Sequence, residues 1–273
     1  MDMIRKKGEI DLKTSFIFVL LMFTFSTSVF GQNNASPSSV PDKELAIVID
    51  DFGNDMAGTE EMLKLPATLT VAIMPFLSTT AEDAERAHHY GHEIIVHLPM
   101  EPVKGKKSWL GPGAITTDLS DQEIRKRVIS AIEAVPHAVG MNHHMGSKAT
   151  ADERVMRIVL EVCKERGLFY LDSKTTGKSV IPKLAKELGV PYLENELFFD
   201  DIYTTQHIVK QANMLAKKLE DDEQMIAIGH VGVTGLKVVN VLKQYIPVYK
   251  HEANIVPLSE MIPEYKMINK SMP

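Results

Sequence analysis

Ten polar side chains stand at or just beyond the ends of apolar runs, and they are of the types that bind metal or move protons. Asp50 ends one run and Asp51 follows it, and His97 ends a second. Asn142, His143 and His144 close a third, Asp172 ends a fourth, Asp200 and Asp201 follow a fifth, and His230 follows a sixth. Aspartate and histidine together suit Zn²⁺ or another first-row divalent cation. A hydrolytic site of this kind needs about three protein ligands and an open position for water. Of two adjacent carboxylates such as Asp50 and Asp51, one can hold the cation while the other takes a proton from the water. A further acid must protonate the leaving group, and His230 is placed for that. Each residue alone has a plainer reading. An aspartate after a strand is usually a helix N-cap, and a lone histidine there is usually structural. The weight rests on the recurrence of such residues at six run ends.

That recurrence matters only if the runs are neighbouring strands. LAIVID (45–50), TLTVAIM (68–74), EIIVH (93–97), AVGMN (138–142) and LFYLD (168–172) are apolar and mostly β-branched, as strands buried on both faces are. PYLENELFF (191–199) is expected to contain a sixth strand, MIAIG (225–229) a seventh and NIVPL (254–258) an eighth. Between them, residues 79–90, 121–135, 151–166, 178–188 and 204–219 carry helical periodicity. Ser120 to Glu123 and Thr150 to Glu153 read as capping boxes, and Gly91, Gly167 and Gly189 fall where helix C-termini are expected. The alternation implies βαβ units, a mostly parallel sheet and right-handed crossovers. Seven or eight such units fit a barrel, complete or slightly open; a doubly wound open sheet is the alternative. In either fold the C-terminal strand ends share one face, so the polar residues should converge. The longest non-periodic stretch, residues 100–119, holds Gly105, Gly111, Pro112, Gly113 and the sole tryptophan, Trp109. Loops of this length are often functional.

The 273 residues are 44% hydrophobic, enough for a full core, and a single catalytic domain is the simplest organisation. A net charge of −6, with no lysine- or arginine-rich run, argues against a nucleic-acid partner. Neither G-x-G-x-x-G nor a G-K-S/T phosphate cradle follows the first strand, which argues against nucleotide binding. Cys163 is the lone cysteine and falls in an apolar helical pattern, so it reads as a buried hydrophobe. At the start of the chain, Arg5, Lys6, Lys7 and Lys13 precede an apolar run at 15–29, then Gly31 and a polar stretch. This is the pattern of a signal peptide over residues 1–31, with an uncleaved membrane anchor as the alternative, followed by a flexible leader at 32–43. The folded part is therefore expected outside the cytoplasm, secreted, periplasmic or in the cell envelope. It would touch a membrane only through an uncleaved leader.

VIDDFG (48–53), GHEIIVHLPMEP (91–102), VGMNHHMGSKAT (139–150), FYLDSKTT (169–176) and IAIGHVG (226–232) together resemble the divergent branch of the polysaccharide deacetylases. The resemblance covers about residues 44–260. It implies an α/β fold, a distorted (β/α)7-type barrel with mostly parallel strands. It also implies metal-dependent removal of N- or O-acetyl groups from a carbohydrate. Carried over residue by residue, Asp50 matches the catalytic base, Asp51 the metal-binding aspartate, His97 the first histidine of the second motif and His230 the acid. The second motif normally reads His-Ser/Thr-x-x-His, but here it is His97-Leu-Pro-Met-Glu101. His144 is the expected substitute ligand, with Glu101 as the alternative and His143 as the neighbour that could face inward instead. The family's Arg-x-Pro motif is absent, and Lys174 or Lys148 is the candidate for its positive charge.

The expected site therefore has Asp50 and His230 as catalytic groups and a divalent cation, Zn²⁺ first, on Asp51, His97 and His144. Trp109, Glu101, Asn142, His143, Ser147, Asp172 and Lys174 are expected to support it or contact substrate. The barrel is expected over residues 44–262 with a tail at 263–273. The competing reading is a non-catalytic carbohydrate-binding or envelope-scaffolding protein on the same fold.

Overall fold

The computed structural model describes residues 43–263, so the expected signal peptide, nearly all of the leader and the tail from residue 264 lie outside the described residues. Strands and helices alternate in the order β1 (Glu44–Phe52), α1 (Thr59–Leu63), β2 (Thr70–Ile73), α2 (Thr80–His89), β3 (Glu93–Met100), α3 (Asp121–Ala134), β4 (Ala138–Met145) and α4 (Glu153–Glu165). There follow β5 (Phe169–Asp172), α5 (Ile181–Leu188), β6 (Tyr192–Glu194), β7 (Leu197–Phe198), α6 (Thr205–Lys218), β8 (Gln224–His230), α7 (Gly235–Glu252) and β9 (Asn254–Ile255). The strands pair in the order β6-β5-β4-β3-β2-β1-β8-β7, every pair parallel, and β9 adds beside β1.

The sheet curls into a barrel of seven strand positions, with its seam at the segment read from sequence as one sixth strand. Residues 192–194 extend the edge of β5, while residues 197–198 extend the edge of β8. At the break, the Asn195 amide donates to the Asp172 carbonyl and the Glu196 amide to the Ile226 carbonyl. One stretch of chain thus serves both edges in turn. The expected eighth strand shrinks to the two residues of β9.

Both faces of the sheet are apolar, which is why the strands read as unbroken apolar runs. Leu45, Ile47, Ile49, Val71, Ile73 and Val96 pack outward with the helices, while Ala46, Val48, Ala72, Ile95, Leu171 and Ile228 fill the interior. Leu258, Met261 and Ile262 join the interior cluster and plug one end. The plug is tied by the Leu258 amide donating to Thr70 and the Ser259 amide donating to Glu93, residues that begin β2 and β3. It therefore closes the N-terminal end of the barrel and leaves the C-terminal mouth for the polar cluster.

Of the two capping boxes read from sequence, one forms. Ser120 caps α3 as expected, accepting from the Glu123 amide at 3.3 Å. The second capping box does not form. Asp152 caps α4, accepting from the Val155 amide at 3.0 Å, while the Thr150 hydroxyl donates to the Gly146 carbonyl. Asp152 is itself a good cap, and the tight turn at residues 149–151 takes Thr150 out of reach.

Candidate metal and acid–base site

The C-terminal strand ends open into a cleft of about 520 Å³, and Asp50, Asp51, His97, His144, Asp200 and His230 all line it. Side chains on an ordinary strand alternate between faces, so Asp50 and Asp51 should point apart. Asp51 instead takes a left-handed backbone, φ 72°, where the register of β1 with β2 slips between Ile49 and Phe52. Few non-glycine residues adopt this conformation. Here it turns two successive carboxylates into one cleft.

Hydrogen-bond bookkeeping fixes the protons on both histidines. The Asn142 amide group donates to Asp50 Oδ1 at 2.8 Å. Asn142 Oδ1 therefore faces His97 Nδ1, at 2.7 Å, and His97 must donate there. That leaves Nε2 of a neutral His97 bare, 3.2 Å from Asp51 Oδ1. His144 Nε2 lies 3.1 Å from the Trp109 carbonyl, which can only accept, so Nδ1 of a neutral His144 is bare as well. It sits 2.9 Å from the same Asp51 oxygen.

Three lone pairs thus converge within 4.8 Å of one another, and neither Asp51 Oδ1 nor His97 Nε2 has a hydrogen-bond partner. Such a group needs positive charge at its centre. Without a cation, protons supply it. Burial works against a charged His97, yet Asp50 and Asp51 outweigh that and raise its pKa. Burial likewise works against ionising Asp51, and His144 and His97 outweigh it, holding the carboxyl well below its usual range. Two imidazoles and one carboxylate are a donor set suited to Zn²⁺ with a position left open.

Across the cleft, His230 Nδ1 bonds Asp200 Oδ1 at 2.8 Å, so its Nε2 is the working nitrogen. Asp200 is buried and also accepts from the His230 backbone amide and the Thr234 hydroxyl, which fixes its carboxylate. Burial alone would lower the His230 pKa. The Asp200 bond and charge, backed by Asp51 and Asp50, outweigh it and raise the value to about 10. His230 is thereby kept protonated at neutral pH. Burial moves Asp50 the other way, raising its pKa and making it a stronger base than an exposed aspartate. Asp200 was visible in the sequence only as one of two aspartates after a strand; its pairing with His230 depends on register between β7 and β8.

The remaining expected site residues scatter. His143 lines the cleft but is buried, its Nδ1 3.2 Å from the Tyr170 hydroxyl, and burial, with His97 and His144, presses its pKa down to about 3. It is therefore neutral and stands outside the three-ligand group. Glu101 does not reach the cleft: one oxygen takes Lys148 Nζ at 2.8 Å and the other takes the Thr117 amide and hydroxyl. Ser147 accepts from the Val103 amide, and Lys174 pairs with Glu194. Asp172 is buried, accepts from the Lys174 amide and has a pKa raised by that burial. These four hold loops, and neither Lys148 nor Lys174 brings a positive charge to the cleft. Among the described residues, no lysine or arginine lines it. Trp109 does line it, 58% exposed on the rim.

The described residues thus form a parallel α/β barrel with an Asp/His group that could hold a metal ion, and an aspartate-backed histidine, at its C-terminal mouth. Residues 47–262 match the divergent polysaccharide deacetylase family, and the chain belongs to it. Membership implies a carbohydrate substrate class. The chain is 33% identical to YibQ of Escherichia coli over 254 residues, 92% of this chain and 78% of that protein. It is 35% identical to an uncharacterized protein of Haemophilus influenzae over 206 residues, 76% of this chain and 71% of that one. In three dimensions it is similar to ATU2773 of Agrobacterium tumefaciens, with a TM-score of 0.75 at 18% identity, covering 83% of this chain and 92% of the other. This likeness supports the barrel fold.

Proposed function

We propose that the protein is a metal-dependent hydrolase that removes acetyl groups from a cell-envelope or extracellular glycan. The observation that carries this reading is the convergence of three potential ligand atoms, on Asp51, His97 and His144, beside Asp50 and His230. Asp51, His97 and His144 would hold Zn²⁺ there, and it would supply Lewis acidity towards water and a carbonyl oxygen. Asp50 takes the proton from the attacking water: Asn142 occupies one of its oxygens and leaves the other for the proton. His230 donates a proton from Nε2 to the departing amine or alcohol, while Asp200 stabilises the charged ring. Burial of the carboxylates and imidazoles strengthens each of these interactions relative to water.

We also propose that the folded part works outside the cytoplasm, on the strength of the basic-then-apolar leader at residues 1–31. No helix among the described residues is long and apolar enough to cross a membrane.

The test is acetate release from an N-acetylated oligosaccharide by zinc-loaded protein, with a chelated control. Zinc-dependent release that is lost in Asp50→Asn supports the proposal. Stoichiometric zinc with no release from acetylated glycans or activated esters favours a carbohydrate-binding protein instead.

A further inference from the structure

One residue of the long loop both contacts a candidate metal ligand and lines the cleft. The loop leaves β3 and is pinned at its base, where the Glu101 amide donates to the Ile115 carbonyl and the Ile115 amide to the Pro99 carbonyl. Glu101 braces it again through Thr117 and Lys148. At its tip, the short 3-10 turn Lys107–Trp109 presents Trp109 in two ways. The carbonyl faces His144 Nε2 at 3.1 Å, and the indole lines the cleft while remaining 58% exposed. Lys106 Nζ lies 5.6 Å from the ring centroid and helps orient the indole. Tyr203, 62% exposed, and Val233, 76% exposed, add apolar surface to the same cleft. Exposed aromatic and aliphatic groups fit the C–H face of a hexose, and a lining that holds Asp50, Asp51, Asp200 and Asp201 and, among the described residues, no lysine or arginine favours an uncharged ring over an anionic one.

The carbonyl contact has its own consequence. Partners of a ligating histidine's second nitrogen set the tautomer, and losing one typically costs about 10–100-fold in metal affinity. His144 has no side chain in this role, only the loop's backbone, so its readiness for metal depends on where the loop tip sits.

Resting on the metal-site reading above, we propose that Trp109 couples glycan binding to metal binding: its indole is the platform for an uncharged hexose ring of the substrate, and its carbonyl holds His144 in the tautomer that a cation requires. A sugar that settles the indole also settles the carbonyl. By linkage, the factor by which glycan tightens metal equals the factor by which metal tightens glycan.

The experiment uses the full chain, Zn²⁺ and chitotetraose. Zinc affinity is measured by competition with a chromophoric chelator, with and without the sugar. Trp109 is the single tryptophan, so its fluorescence and acrylamide quenching report on this position alone. Chitotetraose is expected to tighten zinc about tenfold, and zinc to reduce quenching of Trp109 in the wild type but not in His144→Ala. Trp109→Ala removes the platform, so the ratio of zinc affinities with and without sugar falls to about one, whatever the affinity without sugar; Trp109→Phe restores part of the ratio. Zinc that binds through Asp51 with no response to chitotetraose, or with an undiminished response in Trp109→Ala, overturns the coupling alone. No zinc binding to the wild type overturns both the coupling and the proposed function.

Discussion

Replacing Asp200 with asparagine changes few atoms and removes the charge that makes His230 an acid. Asp200 binds the ring at Nδ1, 2.8 Å away, and is held by the His230 amide and Thr234, so the substituted side chain keeps its place. Two effects follow. First, an asparagine can present its NH₂ to Nδ1, which must then accept, and this holds the ring neutral, with its one proton on Nε2, a far weaker acid than the imidazolium. Second, the charged form loses its main support against burial. In the metal-free chain the His230 pKa stands at about 10, and the Asp200 bond and charge are the largest contributions raising it. An adjacent opposite charge typically moves a pKa by about 1–3 units, so Asp200→Asn should lower it by that amount. The protonated ring is the active form, and it is lost as pH rises through its pKa. The alkaline limb of kcat/KM therefore moves to lower pH in the variant. A bound cation would lower the His230 value in both proteins by charge repulsion, so the displacement between them is the quantity to measure. The assay is kcat/KM against pH for acetate release from chitotetraose, with 4-nitrophenyl acetate in parallel. The amide substrate should lose about 10²–10⁴-fold, the usual contribution of a general acid. The activated ester should lose far less, because its leaving group needs no proton. An unmoved alkaline limb with equal losses on both substrates would refute the assignment of His230 as the acid and Asp200 as its support.

Asp50→Asn should retain stoichiometric zinc and lose about 10²–10⁴-fold in turnover, measured by metal analysis and acetate release on the same sample. His144→Ala should drop zinc below one equivalent. Glu101→Gln should leave zinc stoichiometry untouched, because Glu101 is no ligand and a glutamine oxygen can still accept from Thr117, and should lower stability by no more than ~1 kcal/mol by weakening the partly exposed ion pair with Lys148. Gly140→Ala should destabilise the fold by about 1–3 kcal/mol in urea denaturation, because a Cβ there would lie 2.4 Å from the Phe169 ring. A wild-type midpoint for Gly140→Ala would mean that Phe169 has room to move aside.

The parallel strands were legible because both sheet faces are buried, so runs such as 45–50 and 225–229 stay apolar without alternating. The convergence of their polar ends followed from topology. Other features depended on contacts distant in sequence. Residues 191–199 carry one continuous pattern, and only their two different neighbours, β5 and β8, divide it. Helix α7 escaped notice although Val238, Leu242, Ile246 and Tyr249 form a helical stripe, because Pro247 breaks the expected signal. Helix α1, at five residues, is too short for any period to register. In the candidate site, His143, His144 and Glu101 could not be separated by residue type. What separates them is the partner each meets: the Tyr170 hydroxyl for His143, the Trp109 carbonyl for His144, and Lys148 with Thr117 for Glu101. That Asp50 and Asp51 share a cleft needs a left-handed aspartate, which no residue pattern announces.

The most direct test of the account is anomalous scattering at the zinc edge from crystals grown with Zn²⁺. The account predicts a single strong peak about 2.0–2.2 Å from Asp51 Oδ1, His97 Nε2 and His144 Nδ1. Zinc seated on Glu101 or His143, or bound to the protein with no peak at the barrel mouth, would contradict it.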